Sequence, residues 1–158
     1  MESNQKEKVS KEILDTSIGI IVFYTENDKV KFLLIKHSAG HWAFPKGHAD
    51  EGETEIETAL RELHEETGIK NVKLISDDIL LEDRYKFSGN NGDKIHKTVH
   101  YYIAETNETD VKVDNDEIVD YKWCTLEESF TYLVYPETID LINKAFKFIY
   151  EHRNEKKI

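Results

Sequence analysis

The chain has one cysteine, Cys124, among its 158 residues. No intramolecular disulfide can therefore staple it, and a lone thiol suits a reducing compartment. Long apolar runs are missing as well: none approaches the roughly eighteen residues that mark a membrane-spanning helix. The opening stretch, Met1 to Glu12, is polar and charged. It lacks the apolar core of a secretory leader and the Arg-rich amphipathic pattern of an organellar one, so a cytoplasmic location, with a nuclear one as the variant, is the expectation. Basic residues are scarce beside acidic ones, 21 against 32, which leaves a formal charge of −11. So acidic a chain offers neither an extended nucleic-acid surface nor a field for an anionic membrane, and a phosphate-rich ligand would have to be held by local devices. There is no Cys/His cluster, internal repeat or long low-complexity linker.

What is present fits one domain, since 158 residues can bury one proper core and are too few for two ordinary ones. The working part is expected over 13–150, with 1–12 and 151–158 as polar, frayed ends. Ser17 to Tyr24 and Val30 to Lys36 are β-branched and aromatic runs separated by Glu26-Asn27-Asp28, the pattern of an antiparallel hairpin. From Thr54 to Thr67 the period becomes helical: Ile56, Ala59, Leu60 and Leu63 form one apolar stripe and Gly68 supplies the stop. Strand-like stretches follow at 72–75, 79–87, 98–104 and 118–123. Pro136 then opens an amphipathic segment containing Ile139, Leu141, Ile142, Ala145, Phe146 and Ile149. Mixed strands with an internal and a terminal helix predict an α/β sandwich, a sheet covered on both faces.

The chemistry is concentrated in the internal helix and the loop before it, GHADEGETEIETALRELHEETGI from Gly47 to Ile69. Glu65 and Glu66 stand three and four residues after Glu62, so the three carboxylates share one helix face. Their mean direction lies about a third of a turn from the apolar stripe, which allows the stripe to be buried while the acids line a cleft. Acids on a helix are most often a solvated face. Here, however, like charges crowd together at a cost of a few tenths of a kcal/mol per pair even when exposed, and a hard cation would relieve them. Oxygen ligands of this kind, with no Cys/His set beside them, suit Mg²⁺, with Mn²⁺ able to substitute, better than Zn²⁺.

The flanking positions sharpen this reading. Gly47, Glu53, Arg61, Glu62, Leu63, Glu65, Glu66, Gly68 and Ile69 match every fixed position of the signature of the Nudix hydrolases, and the segment strongly resembles that family. The resemblance implies the Nudix fold, an α/β/α sandwich with a mixed β-sheet and a catalytic loop-helix-loop, and metal-assisted attack of water on a diphosphate. It casts Glu62, Glu65 and Glu66 as metal ligands together with the Gly47 carbonyl, Arg61 as the residue that orients an acid, and Glu53 as the brace of the loop. Glu66, or Glu62 close behind it, would take the proton from water.

Outside this box, His41-Trp42 before Pro45-Lys46-Gly47-His48, the strand Lys97-Thr98-Val99, and Glu117 ahead of Tyr121-Lys122-Trp123 are similar to the animal and archaeal branch of asymmetric diadenosine tetraphosphate hydrolases. That similarity implies a small-molecule dinucleoside polyphosphate substrate and a protein acting as a monomer. Lys46 and Lys97 would neutralise the phosphate chain and His41 would donate to a phosphate or to the leaving oxygen. Tyr85 and Tyr135 would sandwich a base, and Glu117 would serve as an additional metal ligand or base. For each there is a plainer role, solvated for the lysines and Glu117, core packing for His41 and the tyrosines. Trp42 and Trp123 are expected in the core, His48 and His64 as structural or exposed. Two departures from the branch, the short connection His37 to Gly40 and Phe44 where proline is common, fall on the nucleotide pocket. Alternatives are a 5′ RNA pyrophosphohydrolase or cap-trimming enzyme, a diphosphoinositol phosphatase, and a non-catalytic nucleotide-binding module. A basic track for RNA is not evident, and a binding module has no need of all three carboxylates.

Overall fold

The computed structural model describes residues 10–78, 81–113 and 116–155. Strand β1 (Glu12–Glu26) turns back into β2 (Lys29–His37), and Glu26 pairs with Lys29, so Asn27 and Asp28 alone make the turn. Both have positive φ, 50° and 64°, the left-handed pair that a two-residue hairpin requires and that Asn and Asp tolerate best. Two short strands follow, β3 (Trp42–Ala43) and β4 (Lys46–Gly47), then helix α1 (Glu55–Thr67). After it come β5 (Val72–Leu74), β6 (Leu81–Ser88), β7 (Lys94–Thr106), β8 (Ile118–Cys124), a single turn α2 (Leu126–Ser129) and α3 (Pro136–Glu155). The strand expected over 79–87 begins on two residues, Ile79 and Leu80, outside the described ones, as is the N-terminal stretch 1–9. Helix α3 continues past the expected boundary at 150, and β1 begins at Glu12 because its first half is paired.

That pairing is the main feature no local pattern announces. From Glu12 to Phe23, β1 runs parallel to β7, while its last residues pair antiparallel with β2. The result is a mixed sheet with the path β3-β2-β1-β7-β5, with β4 also on β1, β6 on β7 and β8 on β2. Alternation along the strands then feeds two cores. Ile21, Phe23, Phe32, Leu34, Tyr101 and Ile103 face Leu141, Ile142, Ala145 and Ile149 of α3. Ile18, Ile20, Val22, Leu33, Ile35 and Tyr102 face Ala59, Leu63 and Ile69 on the α1 side. A fully buried Leu or Ile contributes about 1.5–3 kcal/mol, so each helix is pinned to the sheet by its apolar stripe rather than by its own propensity. This is the α/β/α sandwich the sequence predicts.

Helix α1 stops at Gly68 as expected, while Thr54, expected as its first residue, stands just outside it. The Thr54 hydroxyl caps it by accepting from the Glu57 amide at 3.2 Å, and Gly68, at φ 78°, ends it with its amide on the His64 carbonyl at 2.8 Å. Its stripe presses on the sheet, so Glu62 and Glu66 are carried to the edge where β4 lies.

Candidate active site

Gly47 sits in β4, opposite Ile18 of β1, and the Glu62 carboxylate lies directly over it. A Cβ built on Gly47 would meet the Glu62 carboxylate atoms at 2.2–2.6 Å, so any side chain there displaces Glu62. Because the obstructing group is the tip of a flexible side chain, Gly47→Ala is expected to melt within a few degrees of the native protein yet lose about 10- to 100-fold in kcat. Thermal unfolding beside steady-state kinetics checks this: a large fall in Tm, or unchanged kcat, would count against the placement.

Arg61 is the hub of the loop-helix junction. Its Nε and Nη2 donate to the two Glu53 oxygens at 2.7 and 3.0 Å, Nη2 also to the His48 carbonyl at 2.8 Å, and Nη1 to Glu62 at 3.0 Å and Glu65 at 3.1 Å. Glu53 in addition accepts from the Asp50 amide at 2.7 Å and the Thr58 hydroxyl at 3.0 Å. Arg61, then the Asp50 amide, hold the Glu53 carboxyl down to about 2. Glu53 thus links the loop and the helix through these contacts, and Thr58 is a partner that the sequence does not point to.

Glu66 is different in kind. It is 6% exposed, and its Oε2 has no hydrogen-bond partner among the described residues. Burial first, and then the neighbouring Glu62 carboxyl and the charge of Glu117, push its carboxyl up to about 8, with the Lys46 backbone amide offsetting only part. Burial likewise raises Glu62 above the ordinary carboxylate range despite Arg61. Glu65 is the most exposed of the three, its side chain 56% accessible. Glu117 is near enough to act on Glu66, and its carbonyl accepts from the Ser38 amide at 2.8 Å.

These donors fit a hard divalent cation. A buried carboxylate oxygen without a partner, beside a second carboxylate held out of water, is a pair that a cation would satisfy and that protein groups leave unsatisfied. Among the described residues no three acidic, His or Cys side chains are gathered closely enough to hold a metal ion together.

Next to the carboxylates lies a cavity of about 310 Å³, lined among others by His41, Trp42, Lys46, Asp83, Tyr85 and Tyr135. Four residues singled out from the sequence, His41, Lys46, Tyr85 and Tyr135, therefore share one cavity although they are drawn from three separate parts of the chain. The Lys46 ammonium is 3.5 Å from the Tyr85 hydroxyl and 5.8 Å from that ring's centre. Burial lowers the Lys46 ammonium's proton affinity, and Asp83, Glu66 and Asp15 oppose the change. His41 stacks on His37 with ring centres 4.6 Å apart, and burial, helped by Lys46, holds both imidazoles below their usual range. Trp42 lines the cavity as well as packing on the α3-side core. Trp123 is anchored apart from it, its indole donating to the Thr109 carbonyl at 3.0 Å. Phe44, fully buried, meets Tyr101 edge-on and helps form the cavity wall.

Lys97, expected to neutralise the phosphate chain, has protein partners of its own. It is 7% exposed and already engaged, its ammonium donating to Asp15 at 2.8 Å and Ser17 at 2.6 Å, with His48 at 3.3 Å. Asp15 and Ser17 become its neighbours through the parallel β1–β7 register, in which Asp15 pairs with Lys97 itself. His48 is held too, its Nε2 at 2.9 Å from Asp15. Asp83 and Glu137, which line the cavity, and Asp15, which holds Lys97 and His48, are acids that sequence reasoning misses, since a lone acid on a strand or at a helix start carries no signal of its own.

Comparison with known proteins agrees with this geometry. The NUDIX domain model matches residues 14–144. The bis(5′-nucleosyl)-tetraphosphatase [asymmetrical] of Rattus norvegicus is 35% identical over 140 residues, covering 83% of this chain and 92% of that protein. An RNA pyrophosphohydrolase of Pelagibacter ubique is 29% identical over 128 residues, covering 72% and 78%. Among solved structures, a C. elegans Ap4A hydrolase binary complex superposes with a TM-score of 0.73 at 29% identity, covering 87% of this chain and 98% of that one.

Proposed function

This chain belongs to the Nudix family, and from that premise we propose that it is an asymmetrical bis(5′-nucleosyl)-tetraphosphatase, splitting P¹,P⁴-bis(5′-adenosyl) tetraphosphate with water into ATP and AMP. The similarity to the rat and nematode enzymes supports this reading. The observation that carries it is Lys46, whose backbone stands beside Gly47 in β4 and is aimed at Glu66, while its ammonium lies in the aromatic cavity. A nucleotide with its base among the tyrosines would run its phosphates past Lys46 to the carboxylates.

Nudix hydrolases generally use divalent metals, and we assign Mg²⁺ here, with Mn²⁺ able to substitute, held by Glu62, Glu65, Glu66 and the Gly47 carbonyl, with Glu117 in reserve. Bound there, the cation would neutralise phosphate charge and acidify water. The chain's own residues do the rest. Glu66, or Glu62 beside it, takes the proton as water attacks phosphorus. Lys46 offsets charge on the polyphosphate, and His41, neutral in its desolvated stack, donates a hydrogen bond to a phosphate or the leaving oxygen. Lys97, shared with Asp15, adds less free charge than a solvated lysine would. Tyr85 and Tyr135 stack on a base, which is worth about 1–3 kcal/mol. Tyr135→Ala is therefore expected to raise KM for the dinucleotide about 5- to 100-fold with a smaller change in kcat, read from initial rates.

The similarity to RNA pyrophosphohydrolases favours a second reading, removal of pyrophosphate from triphosphorylated RNA, against which stands the charge of −11. One substrate panel decides. The native chain with Mg²⁺ should release ATP and AMP from the dinucleotide faster than it trims RNA, and ¹⁸O from labelled water should enter one product only. Faster trimming of RNA installs the second reading; binding of the dinucleotide without turnover installs a non-catalytic module.

A further inference from the structure

The cavity contains two acids that phosphate binding does not explain, Asp83 and Glu137. Asp83 lies on β6 two residues before Tyr85 and shares its face of the sheet, and both line the cavity with Tyr135 and Glu137. It is half-buried; the Arg84 backbone amide reaches its carboxylate, and no side chain donates to it among the described residues. The charges that act on it are Lys46, Glu137 and Asp140. The local balance is thus two further acids against one cation. Burial outweighs the cation and raises Asp83 above the ordinary carboxylate range. A phosphate placed against this group would be repelled, so the polyphosphate belongs on the Lys46 side and the base on the Asp83 side.

We propose that Asp83 sets the base preference of the cavity, its carboxylate accepting a hydrogen bond from the exocyclic amino group of adenine and opposing bases that present a carbonyl oxygen there. The two tyrosines offer stacking to any base, since every base has a π-face. Discrimination must then come from an edge contact, and a half-buried carboxylate acceptor can supply one. An amino group satisfies it; a carbonyl in the same place sets oxygen against oxygen and leaves the acid unpaired in a desolvated site. The inference rests on the hydrolase reading only in placing a nucleotide base in this cavity.

Adenine and hypoxanthine differ along that edge, the amino group giving way to a carbonyl and N1 gaining a proton, so the test is calorimetric titration of the full chain with ATP and ITP in the presence of Mg²⁺. It is run together with the triphosphate of purine riboside, which lacks the 6-substituent, keeps N1 unprotonated and should also bind less tightly than ATP. The native chain should bind ATP at least about tenfold more tightly than ITP. In Asp83→Asn, whose amide can turn either its oxygen or its nitrogen toward the base, the ratio should fall toward one. In Asp83→Leu, which removes the acceptor, it should fall as well. A native chain without preference overturns the proposal. So does an unchanged ATP/ITP ratio in both variants with both affinities shifted together, because Asp83 would then act only as a counter-charge to Lys46. Since no turnover is measured, a chain that prefers ATP yet fails to cleave the dinucleotide loses the hydrolase reading and keeps this one.

Discussion

Replacing Glu66 with glutamine is expected to lower kcat by about 10³-fold or more while making the metal-free protein more stable at pH 8. The two effects have one origin. Glu66 is buried beside Glu62 with an oxygen that has no partner among the described residues, and its carboxyl is pushed up to about 8 from 4.5. Because the native state holds this proton more tightly than the unfolded chain, folding is favoured most below about pH 4.5 and loses stability as pH rises from there to about 8. The loss is on the order of a few kcal/mol. Glutamine has no proton to release, so its stability should be flatter across that window. Urea unfolding in EDTA at pH 5 and pH 8 measures it directly. Mg²⁺ should stabilise the native chain more than the variant, since the cation binds the ionised acid that glutamine lacks. Parallel pH slopes for the two proteins, or a kcat within tenfold of native, would refute the assignment.

The same residue marks how much could be read before the fold was seen. Spacing alone put Glu62, Glu65 and Glu66 on one face and the stripe on another, and the helix has the expected stop at Gly68, while Thr54, expected as its first residue, is its cap. What spacing could not reveal is that Glu66 is desolvated and Glu65 is not, because that depends on where β4 lies beside the helix. The hairpin was legible for a similar reason: Asn27 and Asp28 can adopt the conformation its turn demands. Strand β1 was legible only in its apolar half. Its first residues, Glu12 to Thr16, have no hydrophobic alternation and become a strand because β7 pairs with them from across the chain.

That long-range pairing also changes the reading of Lys97. Beside Thr98 and Val99 in the sequence it reads as a cation projecting from an apolar strand toward phosphate. The register sets Asp15 against it, and Ser17 and His48 complete its surroundings. Two acids that the sequence leaves unremarked, Asp15 and Asp83, thus decide what the cations near them can do. Single acids on strands have no period or neighbour to distinguish them, and only tertiary contacts assign them a partner.

Arg61→Lys is expected to cost about 10²-fold in kcat with KM for the dinucleotide little changed, and several degrees in Tm. Lysine keeps the charge but not the planar fork. Arg61 engages both Glu53 oxygens, the His48 carbonyl, Glu62 and Glu65 at once, and a single ammonium on a shorter reach can satisfy only part of that set. Released from it, Glu62 is free to leave its position over Gly47, and the loop carrying Gly47 and His48 loses its tie to the helix. Arg61 does not line the cavity proposed for the base, so binding should survive while the carboxylates lose their alignment. Glu53→Gln should produce a milder version of the same kcat loss, because it weakens the link between loop and helix and leaves the other Arg61 contacts in place. If Arg61→Lys raised KM and left kcat near native, Arg61 would belong to substrate binding and not to the positioning of Glu62 and Glu65.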